Sequence, residues 1–220
     1  MPQVGTSCAE LRDEVMLNWG DAGLTADDMA TLGMLLSKWL PRLHILHINS
    51  SGFGDAGMQA LCEGMGRGAA PSLRRFEVGM NQSGPGGAEA LAAALRRGAM
   101  AKLEALFLSG NPIGNQGAAA LAESLRMLRA LLMLDLSFCE IGDEGVASLV
   151  ANLGKDDFKK LNMLFLRNNK ITDAGCATLA RVREPPNTIA LPKLEVLILY
   201  DNPASAAAMQ AANRCVVLST

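Results

Sequence analysis

The chain has 220 residues, 50% of them apolar, enough for one sizeable core. Lys+Arg 20 against Asp+Glu 22 leaves a formal charge of −2 with no polybasic run or acidic tail, which argues against nucleic acid as a partner. The apolar stretch at 89–95 is stopped by Arg96 and Arg97, far short of the roughly twenty residues a membrane span needs, so no membrane partner is expected.

The opening MPQVGTSCAELRDE lacks the basic start and apolar segment of a signal peptide, and Pro2 excludes myristoylation. Cys8, Cys62, Cys139, Cys176 and Cys215 are odd in number and contain no Cys-x-x-Cys, the usage of reduced thiols. A cytoplasmic location is therefore expected, with the nucleus as the alternative. Cys215-Val216-Val217-Leu218 has the shape of a prenylation box, but Ser219 and Thr220 follow it and that signal works only at a terminus.

In chain order, residues 1–42 read as a degenerate, capping unit. Its 24–32 stretch runs parallel to 141–149, keeping the helix and losing most of the strand. The first full unit starts at Leu43 (then Leu46, Ile48, Ser51, Phe53) and the second at Leu73 (Phe76, Val78, Asn81, Ser83). The third starts at Leu103 (Leu106, Leu108, Asn111, Ile113), the fourth at Leu131 (Leu134, Leu136, Cys139, Ile141) and the fifth at Leu161 (Leu164, Leu166, Asn169, Ile171). A sixth starts at Leu194 (Leu197, Leu199, Asn202), and successive starts lie 30, 30, 28, 30 and 33 residues apart. Each alternating Leu-x-x-Leu-x-Leu stretch predicts a strand, and the segment after it a helix. Gly57, Gly87, Gly117, Gly145 and Gly175 share one position, with Leu61, Leu91, Leu121, Leu149 and Leu179 four residues later as an apolar helical stripe. The repeated glycine is expected to permit close helix–strand approach. Linkers fall at 64–72, 154–160 and 182–193, and the last, with Pro185, Pro186 and Pro192, is expected to be a tolerated surface loop. Residues 43–210 thus make about six repeats of a single domain, and 211–220 a short cap or tail.

The pattern L-x-x-L-x-L-x-x-N-x-I-G resembles the leucine-rich repeat proteins, in particular the long-repeat, ribonuclease-inhibitor-like subfamily that also includes the Ran GTPase-activating protein. The resemblance implies an α/β, right-handed solenoid bent into a horseshoe, with parallel strands on the concave face and helices on the convex face. Strands pair about 4.8 Å apart while packed helices need about 8–10 Å, and the mismatch bends the stack. Six strands would give a floor about 24 Å across. Inward leucines would be covered by neighbouring units, so replacing Leu106 or Leu164 with Ala should cost about 2–5 kcal/mol. The position-nine residues (Ser51, Asn81, Asn111, Cys139, Asn169, Asn202) should form a hydrogen-bonded ladder, weakest at Ser51 and Cys139.

Chemistry finds little support. The glycines at 84–87 and 64–68 read as a helix start and a helix exit, not a phosphate loop. His44 and His47, the only histidines, lie three apart on one strand and point to different faces, which disfavours a metal site. Asp55, Asp143, Glu144 and Asp173 recur near helix starts, where a carboxylate complements the helix end. No catalytic residue, cofactor or metal is expected.

Residues three, five and seven of each unit should project onto the concave face. From them the candidate contact set is His47, Phe107, Met133, Asp135, Met163, Phe165, Arg167, Ile198 and Tyr200, rich in aromatic and Met residues beside Arg. The expected function is non-catalytic binding of a partner protein or peptide there, by a monomer or weak homodimer. The alternatives are a GTPase activator of the Ran-activator type, implied by the resemblance alone, or a regulatory or scaffold domain of a larger assembly.

Overall fold

The computed structural model describes residues 12–151, 153, 157–182 and 191–214. Strand and helix alternate throughout: β1 (Met16–Asn18), α1 (Ala26–Lys38), β2 (Ile45–His47), α2 (Gly54–Gly64), β3 (Arg75–Glu77), α3 (Pro85–Arg96), β4 (Ala105–Phe107), α4 (Gly114–Arg126), β5 (Met133–Asp135), α5 (Asp143–Val150), β6 (Met163–Phe165), α6 (Asp173–Arg181), β7 (Val196–Ile198) and α7 (Ala206–Arg214). The strands form one parallel seven-stranded sheet in sequence order, with no shift of register: Leu17, Leu46, Phe76, Leu106, Leu134, Leu164 and Leu197 are successive partners.

Each strand buries its middle residue and leaves its flanking residues half-buried or exposed, because one face of the sheet is covered by the helices and the other is open. The buried column continues through Leu43, Leu73, Leu103, Leu131, Leu161 and Leu194 and through Leu61, Leu91, Leu121 and Leu179 of the helices, making a single core along the whole stack. Each such leucine side chain stabilises the fold by roughly 1.5–3 kcal/mol.

The asparagine ladder is present. Asn111 Oδ1 accepts the N–H groups of Asn81 and Ser83, while its Nδ2 donates to the Val78 and Leu108 carbonyls. Asn81, Asn169 and Asn202 repeat the pattern. Cys139 does half of the work: Sγ, with one hydrogen to share, lies 3.4 and 3.3 Å from the Leu108 and Ser137 carbonyls, but it takes no N–H from the preceding unit, and the Ile113 N–H turns to the Asn111 carbonyl. The Ser51 hydroxyl is buried without a partner.

The first unit differs from expectation in keeping its strand, so the sheet has seven strands and a floor about 29 Å across. Its signature is disguised: Glu14 stands where the first leucine belongs and Trp19 where the third does, leaving Leu17 alone to mark it. Trp19 nevertheless packs on the core, and its N–H extends the ladder to the His47 carbonyl at 2.8 Å.

At three of its five positions the repeated glycine also makes room for the preceding unit. A Cβ on Gly87 would strike Ser83 and come within 3.0 Å of Asp55, one on Gly145 would meet both Asn115 and Ile141 at 2.7 Å, and one on Gly175 would strike Asp143. At these three positions the space holds a side chain of the preceding unit, which caps the helix, whereas a Cβ on Gly57 or Gly117 would strike Phe53 or Ile113 of its own unit. The 183–190 part of the long linker, the Cys8 segment and residues 215–220 lie outside the described residues.

Candidate functional site

The open face of the sheet is built from rows of half-exposed side chains at positions three and five of each unit, extended by the turns that follow the strands. The strands set the spacing at about 4.8 Å, and the ladder and helix caps fix where each turn leaves the sheet. Among the described residues, a depression lies at each rim.

At the upstream rim, Ile45, Arg75, Ala105, Met133 and Met163 line up in strand register, with His44, Arg74, Glu104, Leu132 and Asn162 completing a depression of about 370 Å³. Met133 and Met163, expected on the concave face, are here. The Arg74 guanidinium is paired with Glu104 across the strands.

In the middle of the floor, His47 and Phe107 are engaged inside the molecule. Glu77 takes the Arg75 guanidinium on one oxygen and faces His47 Nδ1 at 3.2 Å with the other. Asn49 Nδ2, which can only donate, lies 3.1 Å from His47 Nε2, so that nitrogen is the acceptor and Nδ1 carries the proton toward Glu77. Phe107 lies under the Arg75 guanidinium, 4.5 Å from its ring centre. These side chains make a rigid patch rather than a free anchor.

At the downstream rim, a concavity of about 450 Å³ is lined by Asp135, Phe165, Arg167, Ile198 and Tyr200 together with Met80, Ser109, Gly110, Ser137 and Phe138. Five of the nine residues expected from the sequence meet here. Arg167 Nε donates to Asp201 at 3.1 Å, and its guanidinium is sandwiched between Tyr200 and Phe138, 4.6 and 5.1 Å from their ring centres. The contacts stiffen a long side chain beside two rings that line the concavity.

Sequence reasoning missed Met80 and Phe138. Both sit at position eight, where the turn leaves the strand, and there the backbone is left-handed in every unit: Asp21, Ser50, Met80, Gly110, Phe138, Asn168 and Asp201 have φ between 51° and 73°. The signal was readable in the aligned column. Gly, Asn, Asp and Ser tolerate that conformation, whereas Met and Phe do not favour it and are there for another reason. Met80 is 60% and Phe138 44% exposed, as is Tyr200 at 49%.

Among the described residues no cluster of three or more His, Cys, Asp or Glu could hold a metal ion. The thiols are inert by position: burial pushes Cys62 and Cys139 up to about 12 and also raises Cys176. Asp55, Asp143 and Asp173 are occupied as helix caps of the next unit. Asp55 Oδ1 accepts the Gly84 and Gly87 N–H groups at 2.6 and 2.9 Å, and Asp143 and Asp173 accept those of Thr172 and Ser205.

The architecture, parallel strands alternating with helices in one open sheet, is that of a leucine-rich repeat solenoid. A family model described as "Leucine Rich repeat" matches residues 41–62, 99–122 and 129–150, so the chain carries leucine-rich repeats. No curated protein matches the chain. Among solved structures, the protein of a TLR13–ssRNA13 complex is 17% identical, with a TM-score of 0.42, over 91% of this chain and 34% of that one. This chain therefore spans about a third of the length of that protein. Proteins built from such repeats generally mediate protein–protein interaction, and the fold is typically a non-catalytic binding scaffold. No helix of the described residues is long and apolar enough to cross a membrane.

Proposed function

We propose that the chain is a non-catalytic recognition module that seats a partner protein or peptide on its concave face, with the downstream concavity as its anchor. The observation that carries this reading is the convergence of Phe138, Phe165, Ile198, Tyr200 and Met80 on one concavity of about 450 Å³. Apolar side chains exposed together beside an arginine are the composition of an interface centre, and solenoids use their concave surfaces for recognition. The upstream depression, with Met133 and Met163, extends the surface along a floor wide enough for an ordinary interface of about 800 Å² per partner. Three buried, unpaired cysteines suit a reducing compartment, so we place the protein in the cytoplasm, with the nucleus as the alternative. Nothing among the described residues supports a GTPase-activating role.

The test is a capture experiment with paired variants. Phe165→Ala with Tyr200→Ala should lower recovery of bound protein at least tenfold, a hot-spot-sized loss, at an unchanged thermal midpoint. A control pair on the helical face, Met34→Ala with Glu123→Ala, should leave recovery as it is. If the helical pair abolishes recovery and the concave pair does not, the binding face is the convex one.

A further inference from the structure

Around the middle of the concave floor, the carboxylates of Glu77, Glu104 and Asp201 are neutralised within the molecule. Glu77 takes Arg75 and His47, Glu104 takes Arg74, and Asp201 takes Arg167. Asp135 is left over: its Oδ1 accepts the Ser137 N–H at 2.9 Å, and among the described residues no cation pairs with it. It is half-buried at the end of β5, in register between Phe107 on β4 and Phe165 on β6, and it lines the downstream concavity. Arg167 lines the same concavity but is bonded to Asp201 and clamped between Phe138 and Tyr200, which keeps its charge from Asp135. On the other side, the Arg75 guanidinium is spent on Glu77 and Phe107.

A partner that covers this floor removes water from the Asp135 carboxylate, and a desolvated carboxylate without a counter-charge opposes binding. The partner must therefore bring the cation. Resting on the concave-face reading above, we propose that the floor selects a protein segment presenting a Lys or Arg side chain to Asp135. The aliphatic stem of that side chain runs over Phe165, and apolar neighbours fill the space toward Met80, Phe138 and Tyr200. Phe165 suits this role because its ring, next to the carboxylate, attracts a cation and covers the stem at once. Met80 and Phe138 supply apolar surface at a strained backbone position, where a polar residue would cost the fold less.

The probes are short extended peptides with Leu and Val around a single central Lys, Arg, Gln or Glu, measured by fluorescence anisotropy against the full chain. The Lys- and Arg-centred peptides should bind about tenfold or more tightly than the Gln-centred one, the scale of a charge-assisted hydrogen bond. Asp135→Asn should erase that preference, and Asp135→Lys should transfer it to the Glu-centred peptide, with thermal midpoints reporting that both variants are folded. Equal binding of Lys- and Gln-centred peptides, an Asn variant that keeps the preference, or a wild type that binds none of the set overturns the inference. The same titrations with Phe165→Ala and Tyr200→Ala separate the two readings. If binding is charge-blind but lost in that double variant, the charge selection fails alone; if it survives the double variant, the concave site fails too.

Discussion

Position eight of the repeat is where residue-level cost and use come apart. Its backbone is left-handed in all seven units, and a side chain such as Phe or Met there costs roughly 1–2 kcal/mol relative to glycine. Phe138 recovers part of that by stacking on Arg167 and offers the rest of its ring to solvent. Phe138→Asn, which places there the residue the next unit already uses, should leave stability unchanged or raise it by up to about 1 kcal/mol in urea denaturation. Partner recovery should fall in the same variant. The buried thiols give a pH signature of their own. Cys62 and Cys139 titrate near 12 in the folded chain against 9.0 as the ordinary value, so the folded state keeps protons the unfolded state has lost. Their contribution is complete below pH 9 and disappears as the pH rises toward 12, at about 1.4 kcal/mol per pH unit for each thiol. Between pH 9 and 10, Cys62→Ala should therefore show a shallower loss of stability than the wild type. At this scale the sequence revealed Phe165, Ile198 and Tyr200 by strand alternation. It could not reveal that Phe107 and His47 are already engaged, because their partners Arg75 and Glu77 come from another unit.

Elements in this protein are completed by their neighbours. Position thirteen of one unit caps the helix of the next: Asp55 serves α3, Asn115 serves α5 through the Gly142 and Gly145 N–H groups, Asp143 serves α6 and Asp173 serves α7. Gly87, Gly145 and Gly175 lack side chains that would collide with these caps. The acidic residues do lie in the first turns of their own helices, as the sequence suggests, but the backbone groups they accept from lie 29–32 residues away and no local pattern announces them. Asp55→Ala should destabilise the chain by about 1–2 kcal/mol. Hydrogen exchange should quicken first at the start of α3, the helix that loses its cap, while α2, which carries the substitution, keeps its protection. Faster exchange confined to α2 would contradict the cross-unit assignment. The strand of the first unit was hidden for a related reason: Leu17 is secured by pairing with Leu46 and by Trp19, not by a leucine triplet of its own.

Across the whole molecule, repetition specifies the scaffold and the exceptions to it specify the surface. Most units repeat the buried leucine, the ladder and the cap, which is why the architecture was legible in the sequence. The proposed recognition surface is built from what does not repeat, and its grouping into rim depressions depends on turns and on ion pairs between strands. The most direct measurement of the central claim is amide hydrogen exchange of the chain with and without a captured partner. Binding at the concave floor predicts slowed exchange in the turns after β5, β6 and β7, around Phe138, Asn168 and Asp201, with α2 to α6 unchanged. Protection of the helices, with those turns exchanging as in the free chain, would contradict it.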